Sequence, residues 1–282
     1  MTGRLRTRRR PALYDRIGVG YGDLRRPDPR IAAEVDAALG TARSVVNVGA
    51  GAGSYEPASR RVVPIELSRT MIDQRSPEHA RAVRACASAL PLRDAAVDAG
   101  LAVLTLHHWA EQARGLDELM RVTRGPVVLV TWDPTCSLGW LTDYFPEIPE
   151  MDGLIFPTME ALRVRLGEIE VSALRVPHDC TDGFLCAYWR RPAAYLDPAV
   201  RAAISTFSKL SDLAPRLARL AADIESGEWA RRNEAILDAQ SLDLGYRLVV
   251  ARSQSAGTHT RPRASEARER RELQRDPEGG RG

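Results

Sequence analysis

The chain has 282 residues, enough for one large domain or two small ones, and 44% of them are hydrophobic, which allows a sizeable core. The net charge of +3 is too balanced to indicate a nucleic-acid partner. No apolar run approaches the roughly 18 residues of a membrane span, and the arginine-rich start lacks the apolar centre of a secretory signal. The four cysteines have no zinc-like spacing. We therefore expect a soluble cytoplasmic protein with no membrane span and no metal site.

Both ends of the chain have the composition of unstructured segments. Residues 1–13 form a basic arm, and residues 253–282 form a charged tail rich in Arg and Glu with almost no aliphatic side chains. Such segments bury too little apolar surface to offset the entropy that ordering costs. We therefore place the folded domain at residues 14–252.

A helix is predicted over Asp28–Leu39, before the first strand. Apolar residues recur there at helical spacing, Pro29 suits a first helical position, and Gly40 follows the last apolar residue. This order differs from that of most dinucleotide-binding domains, in which a strand comes first.

The most informative stretch runs from Val45 to Glu56, where an apolar β-branched strand pattern leads into Gly49, Gly51 and Gly53. Glycines at the end of a strand allow a sharp turn and a close approach of the backbone to a ligand, with N–H groups available as donors. The spacing departs from the dinucleotide fingerprint, whose last glycine is replaced here by Ser54. A plain tight turn is the alternative interpretation.

A second apolar run, Val62–Ile65, ends at Glu66, which is 17 residues after Gly49. A carboxylate at the tip of the second strand can accept hydrogen bonds from both ribose hydroxyls of a nucleoside. A lone Glu after a strand is more often a solvated loop residue. Together with the glycine turn, Glu66 becomes a candidate for a nucleoside site.

Four segments in order resemble the motifs of one enzyme family: VNVGAGAG (46–53), VPIELSRTM (63–71), ALPLRDAAVD (89–98) and LTLHHW (104–109). They are similar to those of class I S-adenosylmethionine-dependent methyltransferases, and most similar to the small-molecule group that includes quinone-biosynthesis methyltransferases. The resemblance covers roughly residues 40–135. It implies S-adenosylmethionine as the cofactor.

The resemblance also implies which residues contact the cofactor. The N-terminal tyrosines are candidates for a lid over it, although they could equally pack the first helix onto the sheet. Two positions depart from the family pattern, because Asn47 and Cys86 stand where acidic residues are usual, so that backbone groups around Ala87 and Ser88 would hold the adenine. The implied cofactor-binding residues are Tyr14, Tyr21, Asn47, Gly49, Ala50, Gly51, Gly53, Glu66, Leu67, Met71, Ala87, Ser88, Leu106 and His107.

Strand and helix patterns alternate along residues 45–132, which predicts a parallel sheet covered by helices on both faces. The fold class is therefore α/β, a doubly wound, mostly parallel seven-stranded sheet of the Rossmann-like methyltransferase type. Only two turns of crossover helix fit between Gly53 and Val62. The predicted strands are Val45–Val48, Val62–Ile65, Ala82–Ala85, Ala99–Leu106 and Val127–Trp132, and the predicted short helices are Arg69–Gln74 and Leu116–Thr123.

The remaining chain is predicted to supply the closing strands and a helical cap. A helix at Glu160–Leu166 and strands at Val171–Val176 and Leu244–Val250 complete the sheet. A cap insertion spans about residues 177–238, with helices at Ala199–Leu210 and Leu213–Ile224. Its mixture of aromatic and polar residues suits the wall of a substrate pocket, although a loop that caps helices has a similar composition.

Three histidines are candidates for a general base: His107, His108 and His178. Each of them could instead be a packing residue. The Asn/Asp-Pro-Pro-aromatic signature of nucleic-acid amino-methyltransferases is missing after the fourth strand, which argues against a nucleic-acid substrate.

The predicted function is methyl transfer from S-adenosylmethionine to a small-molecule acceptor. There are two alternatives. One is a binding or regulatory module that keeps the fold without turnover, which Asn47 and Cys86 favour. The other is a nicotinamide-dependent oxidoreductase. The sequence does not indicate an oligomeric state.

Overall fold

The computed structural model describes residues 14–17 and 21–252. The predicted basic arm (1–13) and charged tail (253–282) lie outside these residues. The strands are β1 (Ser44–Val48), β2 (Arg61–Glu66), β3 (Val83–Arg84), β4 (Ala99–Val103), β5 (Pro126–Trp132), β6 (Ile169–Ala173), β7 (Val176–Pro177), β8 (Ser241–Leu242) and β9 (Tyr246–Arg252). The helices are α1 (Tyr14–Ile17), α2 (Tyr21–Leu24), α3 (Pro29–Ala38), α4 (Arg69–Asp73), α5 (Gln112–Val122), α6 (Leu141–Tyr144), α7 (Ile148–Gly153), α8 (Met159–Leu166), α9 (Pro198–Ala202), α10 (Leu213–Glu225), α11 (Glu228–Arg232) and α12 (Glu234–Leu237).

Within the described residues, seven strands form one sheet in the order β3-β2-β1-β4-β5-β9-β6. β1 lies between β2 and β4 in parallel, with Val46 opposite both Val63 and Gly100. β9 runs antiparallel to both of its neighbours, β5 and β6. The predicted fold class, a mostly parallel seven-stranded α/β sheet, is therefore confirmed.

The two faces of the sheet are covered by different parts of the chain. Alternate side chains of a strand point to opposite faces. On one face the strands pack against Ile31 and Val35 of α3 and against the aromatic residues of the cap. On the other face they pack against Leu119 of α5 and Leu162 of α8. The order of the strands brings the carboxyl ends of β1, β2 and β4 together at one edge.

The connection from β1 to β2 differs from the prediction. Residues 49–60, all of them described, form turns and contain no helix, so the predicted two-turn crossover helix is wrong. Three glycines with positive φ and the buried Tyr55, itself at a φ of +61°, fix this segment in a tight non-helical path. Its side chains are anchored to other elements, as described below.

Three other boundaries differ because the backbone turns earlier than the apolar pattern indicates. β4 ends at Val103, since Leu104 has a φ of +48°, and residues 106–108 form a 3₁₀ turn. The predicted helix at Ala199–Leu210 is split into α9 and a 3₁₀ segment. The predicted strand at Val171–Val176 is likewise split, because Val176 leaves the main sheet and pairs with Leu242 of β8.

The cap is held together by large aromatic side chains. The indole nitrogen of Trp140 donates to the carbonyl of Trp189 at 2.7 Å, and the Trp140 ring lies edge-on to Trp229 with centroids 5.3 Å apart. The indole of Trp189 in turn donates to the Val176 carbonyl at 3.0 Å. These aromatic side chains belong to the same buried cluster as one face of the sheet, so they attach the cap to that face. Across the described residues, no helix combines the length and the apolar character that crossing a membrane requires.

Candidate functional site

The glycine turn after β1 is fixed between the ends of β2 and β4. The N–H groups of Gly49 and Ala50 both donate to the Ile65 carbonyl, at 2.8 and 3.0 Å. Gly49 has a φ of +76°, and a Cβ atom placed there would lie 2.0 Å from Oγ1 of Thr105. Position 49 therefore requires glycine for its backbone conformation and for the space that Thr105 occupies.

Glu66 joins the glycine turn to the start of α4. Its buried carboxylate accepts hydrogen bonds from the N–H of Gly51 at 2.8 Å and from the N–H of Ser68 at 2.7 Å. A carboxylate offers about four lone-pair positions, so acceptor capacity remains for hydroxyl groups of a ligand. The predicted position of Glu66, at the tip of β2 and beside the glycines, is the position that the structure gives it.

A carboxylate does lie under the glycine turn, but Glu56 supplies it. The amide of Asn47 donates to Oε1 of Glu56 at 3.2 Å, and Arg75 donates to Oε2 at 2.7 Å. Arg75 also donates to the Gly51 carbonyl at 3.2 Å. The side chains of Arg75 and Glu56 are only 5% and 4% exposed, so the ion pair is shielded from water. The sequence showed Glu56 only as the last residue of the glycine stretch.

A cavity, which we name the glycine-loop pocket, opens at the carboxyl ends of β1, β2 and β4. Its lining includes Cys86, Thr105 and Trp109, none of which was predicted to bind a ligand. The predicted residues that line it are Tyr14, Asn47, Gly49, Ala50, Gly51, Glu66, Leu67, Met71, Ala87 and His108.

Gly53, Ser88 and Leu106 do not line this pocket. Gly53 lines a neighbouring surface cleft, where it faces His79. The hydroxyl of Ser88 donates to Glu111 at 3.1 Å, and Leu106 is 1% exposed within the core. Tyr21 begins α2, but its side chain lies outside the described part of the structure.

His178 also lies apart from His107 and His108. Its Nδ1 is 2.6 Å from Nη2 of Arg190, and its backbone N–H donates to the Gln240 carbonyl at 3.0 Å. These contacts place it beside the β7–β8 pair, and it does not line the glycine-loop pocket. The structure therefore corrects the grouping of His178 with the other two histidines.

Helix α1 lies across the mouth of the glycine-loop pocket. The Tyr14 hydroxyl is 3.1 Å from Nε2 of His108, and the two rings meet edge-on with centroids 5.0 Å apart. The next residue, Asp15, accepts a hydrogen bond from the Ser68 hydroxyl at 2.7 Å. That bond is the main reason why the pKa of Asp15 is lowered. Tyr14 is thus held over the pocket from both the β4 side and the α4 side.

The two adjacent histidines are both held in the neutral form. The ring of His107 stacks on Phe156 with centroids 4.1 Å apart. Burial lowers the pKa of His107 well below its ordinary value, and the neighbouring His108 adds to this effect. Burial, with smaller contributions from the charges of Lys209 and Arg25, lowers the pKa of His108 to about 3. Near neutral pH both rings are uncharged and are weak bases.

A second cavity, the aromatic chamber, adjoins the first. The two cavities share Tyr14, Arg25 and Leu104 in their linings, so they meet beneath α1. The chamber is lined by the rings of His107, Trp132, Phe156, Phe184 and Tyr246 together with the polar side chains of Asp152, Ser205 and Thr206.

An ion pair ties three distant segments together beside this junction. The guanidinium of Arg25 donates to Asp182, which is 1% exposed, and the hydroxyl of Tyr55 donates to the same carboxylate at 2.9 Å. Burial is the main reason why the pKa of Tyr55 is raised. Arg25 follows α2, Tyr55 follows the glycine turn and Asp182 belongs to the cap. The sequence separation of 157 residues between Arg25 and Asp182 explains why no local pattern indicated this contact.

Comparisons with known proteins indicate a methyltransferase. A family model described as a methyltransferase domain matches residues 46–130. A solved structure from Anabaena variabilis, assigned as a methyltransferase from an antibiotic biosynthesis pathway, is 32% identical; the match covers 81% of this chain and 98% of that chain, with a TM-score of 0.74. An S-adenosylmethionine-dependent methyltransferase of Thermotoga maritima shares the fold at 15% identity, covering 85% of this chain and 97% of that chain with a TM-score of 0.52. No curated protein matches the chain.

Proposed function

This chain belongs to the class I S-adenosylmethionine-dependent methyltransferases, and from that premise we propose that it methylates a small-molecule acceptor bound in the aromatic chamber. S-adenosylmethionine is the cofactor. The observation that carries the proposal is the pair of cavities that meet beneath α1: one is built around the glycine turn and Glu66, and the other is lined by aromatic rings.

The lining of the glycine-loop pocket fits the chemistry of a sulfur nucleoside. Glu66 has acceptor capacity left for the two ribose hydroxyls at the tip of β2. The turn at Gly49 and Gly51 lets the backbone approach the methionine portion, because no Cβ stands in the way. Leu67 and Met71 offer apolar contacts to the adenine ring. Cys86 lines the pocket where an acidic partner is usual, so we assign the adenine to these apolar contacts and to backbone groups near Ala87.

The chain contributes alignment and exclusion of water. When bound, S-adenosylmethionine supplies an electrophilic methyl group on a sulfonium, so positioning of the acceptor is the main task of the protein. Tyr14 covers the junction of the two cavities and is held there by its contact with His108. Because His107 and His108 are neutral and weakly basic, we assign them to the walls of the site and not to removal of a proton.

Two observations support a small-molecule acceptor. The chamber adjoins the cofactor pocket beneath α1, and its concave aromatic wall suits a compact ligand. The Anabaena variabilis protein, at 32% identity, is assigned to an antibiotic biosynthesis pathway, which is small-molecule chemistry. The narrower resemblance to quinone-biosynthesis methyltransferases stays a prediction, as do the cytoplasmic location and the absence of a nucleic-acid substrate.

Calorimetric titration tests the cofactor site. Wild-type protein is titrated with S-adenosylmethionine, S-adenosylhomocysteine and NADH, and we expect binding of the first two only. Glu66→Ala should weaken that binding by about 1–3 kcal/mol, which corresponds to a loss of roughly fivefold to 150-fold. Glu118→Ala is the matched control, because Glu118 also accepts a backbone N–H, that of Leu90 at 2.8 Å, but does not line the pocket in the described structure.

Equal affinity of the Glu66→Ala variant and the wild type would contradict the assignment of Glu66. Cofactor binding without methyl transfer to any member of a broad acceptor panel would favour the alternative of a binding or regulatory module. Absence of S-adenosylmethionine binding in the wild type would contradict the proposed function itself.

A further inference from the structure

Asp152 is a buried carboxylate in the wall of the aromatic chamber. It lies near the end of α7 and is 2% exposed. The Thr206 hydroxyl lies 3.1 and 3.3 Å from its two oxygens, and Nζ of Lys209 lies 4.0 Å away. These contacts use part of a carboxylate's capacity for hydrogen bonds. Asp152 therefore retains acceptor positions in the wall of a cavity.

The cost of burying this group is not balanced by its neighbours. Burial raises the pKa of Asp152, and the charge of Lys209 and the hydrogen bond from Thr206 offset only part of that effect. Arg25, a cation that does line the chamber, is paired with Asp182. A buried, incompletely paired carboxylate lowers stability, so a functional reason for its presence is expected.

The rest of the chamber wall is mainly aromatic. Phe156 stacks on His107 and meets Trp132 edge-on with centroids 5.6 Å apart. Phe184 and Tyr246 lie with centroids 4.6 Å apart. In addition, Nδ1 of His107 is buried and has no hydrogen-bond partner among the described residues. The chamber thus presents apolar planar walls, a free ring nitrogen and one carboxylate.

We propose that Asp152 accepts a hydrogen bond from the methyl acceptor, and that this acceptor is a small aromatic or heteroaromatic molecule with an O–H or N–H group. The inference rests on the proposed function and specifies the substrate class of the same site. The carboxylate fixes one end of the ring, and Tyr14 and Leu104, which both cavities share, mark the side from which the methyl group is presented. Asp152 acts as the group that orients the acceptor.

Three probes of similar size separate the donor chemistries: phenol (an O–H donor), aniline (an N–H donor) and toluene (no donor). Each is titrated into protein saturated with S-adenosylhomocysteine, and its affinity is measured by ligand-observed NMR. The variants are Asp152→Asn and, as the matched control on the same helix, Glu150→Gln, which removes an exposed carboxylate. Thermal melting and the affinity for S-adenosylhomocysteine are recorded for every variant.

We expect wild-type protein and Glu150→Gln to prefer phenol or aniline over toluene, and Asp152→Asn to lose about fivefold to tenfold of that preference because a neutral amide oxygen is a weaker acceptor. The probe with the larger preference shows whether the donor that Asp152 binds is better matched by an O–H or by an N–H group. Asp152→Asn should melt no lower than the wild type, since it removes an incompletely paired buried charge.

Equal binding of all three probes by the wild type, or an unchanged preference in Asp152→Asn, would overturn the inference while leaving the proposed function in place. A lower melting temperature of Asp152→Asn together with unchanged probe affinities would make Asp152 a structural residue. If wild-type protein fails to bind S-adenosylhomocysteine, the proposed function fails first, and this inference fails with it.

Discussion

The two cavities beneath α1 differ in the kind of chemical group that lines them. The glycine-loop pocket is formed largely by backbone: positive-φ glycines, N–H groups that bond to Ile65 and Glu66, and the ends of three parallel strands. The aromatic chamber is formed by side chains: stacked and edge-on rings around one buried carboxylate. The shape of the glycine-loop pocket therefore depends on the backbone path, and the shape of the aromatic chamber depends on the identity of its side chains.

This difference indicates how one fold can serve many acceptors. A backbone-built site changes little when side chains are replaced, provided that its glycines remain, and it suits a cofactor that all members of the family share. A side-chain-built chamber can be altered one residue at a time without moving the sheet. Most of the chamber lining comes from residues 132–246, and most of the lining of the glycine-loop pocket comes from residues 44–105.

The largest expected effect comes from adding one methyl group to the backbone-built site. Gly49 and Gly227 have nearly the same φ, +76° and +75°, but a Cβ at Gly49 would meet Thr105 at 2.0 Å, whereas a Cβ at Gly227 meets nothing within 4 Å. Gly227→Ala should therefore lower the free energy of unfolding by about 1 kcal/mol, the cost of the left-handed conformation alone. Gly49→Ala adds a clash in the core and should lower the free energy of unfolding by about 4 kcal/mol.

Urea denaturation of both variants measures this difference, with S-adenosylhomocysteine affinity as a second readout. Gly227→Ala should bind the nucleoside as the wild type does, because Gly227 lies in the cap between α10 and α11. Similar losses of stability in the two variants would show that Thr105 moves aside freely and that the turn is not fixed as described.

The backbone-built half was the predictable half. Its signals are local: an apolar strand that leads into glycines, and a second strand that ends in an acid, with Gly51 and Glu66 only 15 residues apart. Their positions follow once the strands are recognised as parallel neighbours, since the carboxyl ends then meet at one edge. The prediction of a crossover helix after β1 was wrong because the glycines and the buried Tyr55 of that segment fix a different backbone path. The number of residues between the strands could not reveal this.

The side-chain-built half was hardly predictable, because its contacts join residues that are far apart in sequence. Asp152 and Thr206 are 54 residues apart, and Arg25 and Asp182 are 157 residues apart. No periodicity relates such positions, and a single Asp in a short helix looks like any solvated residue. His178 illustrates the converse case, since its polar and aromatic neighbours in sequence indicated a pocket, yet it lies beside Arg190.

A smaller effect is expected from pH, at His108, which lines the glycine-loop pocket and contacts Tyr14. The pKa of His108 is lowered to about 3 in the folded protein, against about 6.5 in the unfolded chain. Its contribution to stability is therefore complete above pH 6.5 and declines as the pH falls from there toward 3, because the unfolded chain binds the proton first. Between pH 7.5 and 5.0 this amounts to about 1–2 kcal/mol.

Denaturation of the wild type and of His108→Gln across that pH range tests this prediction. Between pH 7.5 and 5.0, the free energy of unfolding should fall by about 1–2 kcal/mol less in the variant than in the wild type. This holds whatever the difference between their stabilities at pH 7.5. The range stays above the titration of most carboxylates, so acid unfolding does not obscure the result. Parallel curves for the two proteins would mean that His108 takes up its proton in the fold, which contradicts the neutral ring described here.

The smallest expected effect comes from two helix caps, of which only one contacts α1. Ser68 and Thr158 both cap helices, accepting the N–H of Met71 at 3.3 Å and of Ala161 at 3.1 Å. Replacing either by Ala should cost about 1 kcal/mol of stability. Ser68 also donates to Asp15 and so holds α1 and Tyr14 over the junction of the two cavities. The loss of that bond should weaken S-adenosylhomocysteine binding by about threefold, whereas Thr158→Ala should leave it unchanged.

Calorimetry on both variants at one pH compares two matched losses of a helix cap, of which only the one at Ser68 also removes the bond to Asp15 and a hydroxyl from the pocket lining. Weaker binding in Ser68→Ala alone would show that the Ser68 hydroxyl, through Asp15 or directly, contributes to the cofactor pocket. Equal affinities would mean that α1 rests on α4 without contributing to the site, and Tyr14 would then be a packing residue.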